Sequence, residues 1–310
     1  MENGNRIETV ALVGLGAIGS SYLARISEKI PMGHIRVIAS GERVQRYRSN
    51  GVFVNGEKYF FPVYEPEDET GAADLIIFAV KYNNLKQAIA DAKNQIGPNT
   101  IIMSLLNGIT SEREISEVYG AKHTLLSTVI KITATRRGDS TVSSKLGVIQ
   151  FGEARNKEGE YSEDVKRVKE FFDYSGISYE IHEDMKRTLW KKFMLNVGMN
   201  QTSAVLRFPY GLMQKIEPAR AIMIAAMEEV VSLAAFEEVR LTSDDVKDVM
   251  ARMDGFPPDG KTSMLQDVES LRPTEVGMLG DAVVALGRIH GVPVPVNETL
   301  SRLIHAIEES

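Results

Sequence analysis

The sequence predicts an α/β N-terminal half followed by an all-helical C-terminal half. Short Val- and Ile-rich runs occur at residues 9–13, 35–39, 75–80, 100–105, 124–129, 147–151 and 177–181. Runs of this length and composition are strand signals. Helical patterns at 18–29, 43–50, 84–94 and 163–174 lie between several of them. That alternation implies parallel strands joined by helical crossovers. From residue 182 onward only long helical patterns follow, at roughly 183–206, 218–238, 243–253, 274–290 and 296–307. Two domains are therefore expected, 1–182 and 183–310.

Local signals refine this outline. Asn55-Gly56 separates the short runs 52–54 and 58–61, and Asn-Gly accepts the positive φ of a hairpin turn. Gly291-Val292-Pro293 stops one helix and starts the next. One Pro/Gly-rich loop spans 254–260.

Charge and composition exclude several classes of function. The chain has 310 residues, with 36 Lys and Arg against 42 Asp and Glu, a net charge of −6. A net acidic chain without a Lys/Arg cluster lacks the footprint of a nucleic-acid binder. Cysteine is absent, which removes disulfides, cysteine-based zinc sites and cysteine nucleophiles. The five histidines show no metal-ligand spacing, and no GxSxG elbow occurs. The most apolar stretch, 219–236, is interrupted by Arg220, Glu228 and Glu229, so no membrane span is expected. Residues 1–8 lack the basic start of a secretory signal. A cytoplasmic protein without metal is expected. The apolar stretch 222–236 suits either the core or a homodimer interface.

The first chemistry-bearing motif is Gly14-Leu15-Gly16-Ala17-Ile18-Gly19, set between the strand pattern 9–13 and the following helix pattern. This is GxGxxG in the context that a Rossmann-type dinucleotide site demands. Gly14 would make the tight turn, Gly16 would let the backbone approach a pyrophosphate, and Gly19 would let helix and strand pack closely. The phosphates would sit on the helix N-terminus. At the end of the second strand stands Ser40, not the acidic residue expected for NAD. Arg43 is close enough to pair with a 2′-phosphate and Ser40 to donate to it, which points to NADP. Glu42 offers a carboxylate to the ribose instead, leaving NAD as the alternative, and Arg43 also fits a solvated helix position.

The second motif is a polar stripe. Lys192, Asn196 and Asn200 recur at i, i+4 and i+8, one face of an α-helix. Trp190, Phe193, Met194, Leu195, Val197 and Met199 surround them, as on a buried helix. Buried amides and an ammonium carry a large desolvation cost unless satisfied, and a polar ligand would satisfy them. Ketone reduction needs a proton on oxygen, and a lysine ammonium can supply it. The alternative is a lysine that reaches solvent and asparagines bonded to neighbouring helices.

Together these residues resemble the ketopantoate reductase (2-dehydropantoate 2-reductase) family over essentially the whole chain. The resemblance includes the N-terminal GxGxxG, Ala79-Val80-Lys81, Leu106-Asn107-Gly108 and Trp190-Lys191-Lys192-x3-Asn196-x3-Asn200. It continues with Thr262-Ser263-Met264-Leu265-Gln266-Asp267, Arg272-Pro273-Thr274-Glu275 and the closing Gly291-Val292-Pro293-Val294-Pro295. The Ser-Met-Leu-Gln-Asp run is the most family-specific. Lys-x3-Asn is shared with two-domain dehydrogenases similar to 6-phosphogluconate dehydrogenase, whose C-terminal domain the helical half should resemble.

The resemblance implies roles. Lys192 would protonate the carbonyl oxygen, and Glu275 would orient substrate and lysine. Asn107, Asn196, Asn200 and Ser263 would bind substrate or the nicotinamide end of the cofactor, and Lys81 would lie near the cofactor. Two departures stand out: Ser40 occupies a position where the family often has an arginine, and Tyr210 one where some members have a substrate-binding asparagine. The expected activity is NADPH-dependent reduction of 2-dehydropantoate to (R)-pantoate in pantothenate and coenzyme A biosynthesis. The alternatives are a D-2-hydroxyacid dehydrogenase acting on other 2-keto acids, with NADH an option, and a non-catalytic NAD(P)-binding regulator.

Overall fold

A computed structural model describes residues 6–310; the reading of residues 1–8 as lacking a secretion signal falls partly on residues 1–5, outside the described residues. The chain forms two compact units. One comprises Met1–Leu106 and Thr110–Met185, the other Asn107–Ile109 and Lys186–Ser310. The division lies between Met185 and Lys186, and residues 107–109 group with the second unit.

The first unit holds twelve strands and five helices among the described residues. They are β1 (Val10–Val13), α1 (Ala17–Ser27), β2 (Ile35–Ile38), α2 (Glu42–Asn50), β3 (Val52–Val54), β4 (Glu57–Tyr59), β5 (Val63–Tyr64), β6 (Leu75–Phe78), α3 (Leu85–Asp91), β7 (Ile101–Ser104), α4 (Ser111–Tyr119), β8 (Thr124–Ile130), β9 (Thr133–Arg137), β10 (Ser140–Lys145), β11 (Val148–Gly152), α5 (Glu163–Ser175) and β12 (Tyr179–Glu180). The main sheet runs β12-β11-β8-β7-β6-β1-β2-β5. From β5 to β8 neighbours are parallel; β11 turns antiparallel to β8, and β12 pairs parallel to β11. β1, β6 and β7 are buried along their whole length, which is why they read as unbroken apolar runs rather than alternating ones.

A second sheet, ordered β4-β3-β10-β9, lies beside α1. Its β3–β4 hairpin is the expected one, turning on Asn55 (φ 53°) and Gly56 (φ 87°). Its β9–β10 hairpin was not expected. Strand 133–137 carries no fully buried residue, so its sequence lacks an apolar face. A buried hydroxyl pair, Ser20 Oγ to Thr141 Oγ1 at 2.9 Å, joins α1 to β10.

The second unit is helical: α6 (Met185–Leu206), α7 (Tyr210–Lys215), α8 (Glu217–Ala234), α9 (Ser243–Asp254), α10 (Ser263–Glu269), α11 (Gly280–His290) and α12 (Pro295–Glu309). Met223, Ala226, Met227, Val230, Leu233 and Ala234 of α8 are buried, so one face of the 222–236 stretch serves the core; Ile224 and Phe236 stay exposed. Gly198 makes the α6–α8 approach possible, since a Cβ there would lie 2.9 Å from the Met223 carbonyl oxygen. Asp245 in the first turn of α9 is 3% exposed and closes a capping box with Thr242. Its carboxylate also accepts from Arg187 (2.6 Å) and Lys191 (2.9 Å) of α6. No helix among the described residues is long and apolar enough to cross a membrane.

Candidate functional site

The glycine-rich loop has the sterics its sequence implied. Gly14 sits at φ +105°, and a Cβ there would come within 2.6 Å of the Ala79 carbonyl oxygen. A Cβ on Gly19 would lie 2.1 Å from the Gly14 carbonyl oxygen. Both positions are closed to any side chain. Gly16 differs: an added Cβ would meet only the Ala79 oxygen, at 3.7 Å. Internal packing therefore leaves the face of Gly16 open. Gly16 is the N-cap of α1 and makes no side-chain cap, and the first turn carries no acidic residue. The helix ladder begins with Ser20 N to Gly16 O at 3.0 Å. The N–H groups before it have no acceptor inside the helix, as at any helix start. This cradle fits a phosphate.

Beside it lies a groove lined by Gly14, Leu15, Ala39, Val80, Asn84 and Asp91. It adjoins a cleft of about 490 Å³ lined by Ser40, Gly41, Glu42, Arg43, Arg46, Asn84 and Gln87. Ser40 departs from expectation here. Its hydroxyl donates to Asp91 Oδ2 at 2.8 Å, and Gln87 Nε2 donates to the other oxygen at 2.7 Å. The buried Asp91 carboxylate thus engages the hydroxyl that the sequence reading offered to a 2′-phosphate. Arg43 leans on Asn84 Oδ1 at 3.3 Å and lines the cleft with Arg46. Arg46 lies one residue beyond the first turn of α2, where from sequence an arginine reads as a solvated position. Lys81 is exposed at the end of β6, opening the short turn Tyr82–Asn84.

The second unit brings Lys192, Asn107 and Glu275 together. Lys192 Nζ donates to Asn107 Oδ1 at 3.0 Å, and Asn107 Nδ2 donates to Glu275 Oε2 at 2.9 Å. An amide is suited to this bridge, because its oxygen accepts from the ammonium while its NH₂ donates to the carboxylate. Each partner has a local support. Gly108 (φ +91°) lets the 107–109 segment approach Met278, whose carbonyl oxygen would lie 3.2 Å from an added Cβ. Glu275 stands between buried Thr274 and Val276, with Thr274 N bonded to Glu308 Oε1 and Val276 N to Thr274 Oγ1. The expected helix from 274 begins only at Gly280, after a 3₁₀ turn at Val276–Met278. The neighbouring Lys191 turns to Asp245 and Asp248 instead, which separates the two adjacent lysines by function of the helix face.

Asn196 and Asn200 follow Lys192 along α6, 9% and 7% exposed. Neither side-chain amide has a hydrogen bond among the described residues, so the bonds to neighbouring helices offered as the alternative are not made. Ser263 is the exposed first residue of α10; the cap is its neighbour Thr262, which accepts from Leu265 N. Tyr210 packs on Phe256, ring centroids 5.1 Å apart, and its ring would be 2.7 Å from a Cβ on Gly260. Burial raises its hydroxyl pKa.

Comparison with known proteins identifies the family of the chain. The family model "Ketopantoate reductase PanE/ApbA" matches residues 10–156, and "Ketopantoate reductase PanE/ApbA C terminal" matches 184–308. A 2-dehydropantoate 2-reductase of Aquifex aeolicus is 28% identical over 96% of each chain. One of Streptococcus pyogenes is 27% identical over 96% of this chain and 97% of its own. Among solved structures, a PanE/ApbA family ketopantoate reductase of Ralstonia eutropha superposes with a TM-score of 0.82 at 25% identity, covering 97% and 98% of the two chains. D-mandelate dehydrogenase in ternary complex with NADH and anilino(oxo)acetate gives 0.84 at 23% identity over 97% and 98%, a likeness of fold. With both halves matched by their own family model and the relatives aligned end to end, the chain belongs to the ketopantoate reductase family.

Proposed function

We propose that this chain is an NADPH-dependent reductase converting 2-dehydropantoate to (R)-pantoate, and so serves pantothenate and coenzyme A biosynthesis. The observation that carries the reading is the Lys192–Asn107–Glu275 chain at the head of the Asn196 and Asn200 stripe. A bound nicotinamide supplies the hydride that adds to the ketone carbon. Lys192 Nζ is then the proton source for the oxygen: its N–H bond breaks as the O–H bond forms, and solvent reprotonates the amine. General acid catalysis of this kind contributes about 10²–10⁴ in rate. Asn107 fixes the position of Nζ, and Glu275 fixes the orientation of the Asn107 amide. Asn196 and Asn200 present amides that orient the carboxylate and hydroxyl oxygens of 2-dehydropantoate. The cradle of Gly14, Leu15, Gly16, Ala17, Ile18 and Gly19 takes the diphosphate, and Arg43 with Arg46 supplies positive charge for a 2′-phosphate.

A second reading is favoured by Ser40, which bonds to Asp91, and by Tyr210, which by the family resemblance takes the place of a substrate-binding asparagine. It keeps the chemistry but turns it to other 2-keto acids with NADH. The discriminating experiment follows oxidation of NADPH and of NADH with 2-dehydropantoate and with branched and aromatic 2-keto acids. The first reading predicts the highest kcat/KM for NADPH with 2-dehydropantoate. A preference for NADH with an aromatic or branched 2-keto acid would replace it with the second. Tight cofactor binding without turnover on any substrate would refute both.

A further inference from the structure

The guanidinium of Arg136, on β9, is built into the phosphate loop. Its Nη1 donates to the Leu15 carbonyl, and its Nε donates to the Gly138 carbonyl at 2.9 Å. The side chain is 16% exposed, and the buried Nη2 makes no hydrogen bond, standing 3.6 Å from Asp139 Oδ1. Asp139 in turn faces Arg46 Nε at 3.5 Å and accepts from Asn50 at 3.3 Å. The hairpin tip therefore packs against α2 while Arg136 reaches the loop before α1.

The contact has a directional consequence. The helix ladder starts at the Gly16 carbonyl, so the Leu15 carbonyl lies outside it. The Leu15–Gly16 peptide is planar and trans, and its C=O and N–H point opposite ways. A guanidinium held on the carbonyl therefore fixes the direction of the Gly16 N–H. Donation from a cation also polarises the peptide and makes that N–H a stronger donor. Gly16 is the loop position whose outer face internal packing leaves open.

We propose that Arg136 is a positioning residue for the cofactor: it locks the Leu15–Gly16 peptide so that the Gly16 N–H faces the diphosphate. It acts from behind the loop and need not touch the cofactor. The proposal rests on the cofactor reading above. The test uses Arg136→Met and Arg136→Lys in the full chain, with two readouts. One is the Kd of NADPH and NADH from nicotinamide fluorescence. The other is the ³¹P resonances of the bound diphosphate. Loss of a charge-assisted hydrogen bond predicts a Kd raised roughly 10- to 100-fold in the Met variant, with displaced diphosphate resonances. The Lys variant, which keeps one donor, should fall in between. Should the Met variant fail to fold, the Lys variant carries both readouts. An unchanged Kd, or a raised Kd with unmoved diphosphate resonances, would overturn the proposal while leaving the cofactor reading intact. Failure of the unaltered chain to bind either cofactor would overturn both.

Discussion

The glycine-rich loop and the Lys192 chain are built on opposite plans. The loop is six consecutive residues whose shape is set by backbone contact: Gly14 and Gly19 have no room for a Cβ. The chain is three side chains from positions 107, 192 and 275, joined by two hydrogen bonds. A backbone site fails when atoms are added, and it fails together with local packing. A side-chain site fails when atoms are removed, and the fold around it survives. Changes to the first should therefore move cofactor affinity and stability together, whereas changes to the second should move turnover alone.

Four substitutions sharpen or break that contrast, from the largest effect to the smallest. Lys192→Ala should lower kcat by about 10²–10⁴ while the Kd of reduced cofactor, read by fluorescence, stays within about twofold of the unaltered chain. A parallel loss of cofactor affinity would erase the separation. Gly19→Ala places a Cβ against the Gly14 carbonyl oxygen and should cost up to about 3 kcal/mol of stability. It should also weaken cofactor binding; a melting curve and a Kd that both stay unchanged would contradict the backbone plan.

Asp245→Asn comes next. Burial alone would raise this carboxyl pKa, but the Lys191 hydrogen bond, the Thr242 N–H and the charges of Lys191 and Arg187 outweigh it and hold it below the usual carboxylate range. A carboxyl whose folded pKa is depressed contributes stability above its unfolded value of about 4, and loses it as pH falls through the folded value. The Asn variant should therefore unfold about 2 kcal/mol more easily at pH 7, less than for a fully buried pair because Arg187 and Lys191 reach solvent. The deficit should shrink on acidification in urea titrations at several pH values; a deficit constant down to pH 3 would break the assignment. Ser40→Ala is the smallest: its hydroxyl donates to the Asp91 carboxylate and not to a 2′-phosphate, so the variant should change the ratio of NADPH to NADH affinity by less than about threefold, below the cost of losing a charge-assisted bond. A larger shift would return the hydroxyl to the 2′-phosphate.

The same contrast explains what could be read from the sequence. Backbone constraints are local, so Gly14, Gly16 and Gly19 declared their site within ten residues, and the buried strands declared themselves as apolar runs. The Lys192 stripe was legible because helical periodicity places residues 192, 196 and 200 on one face. Its partners were not, because nothing in residue spacing links position 107 or 275 to position 192; the family resemblance supplied Asn107 and Glu275. Helix 111–119 escaped notice because Ile115 is its one large apolar residue fully buried. Strand β9 was missed because polar residues line it, and Arg136 with it, since its link to Leu15 spans more than a hundred residues.

The most direct test of the central claim, that Lys192, Asn107 and Glu275 act as one unit, is the kcat of Glu275→Gln measured in the unaltered and the Lys192→Ala backgrounds. If Glu275 acts through Asn107 on the Lys192 ammonium, the change should cost roughly 10- to 100-fold in the unaltered chain and less than about threefold once the lysine is gone. Equal losses in both backgrounds would show that Glu275 works independently of Lys192 and would contradict the account.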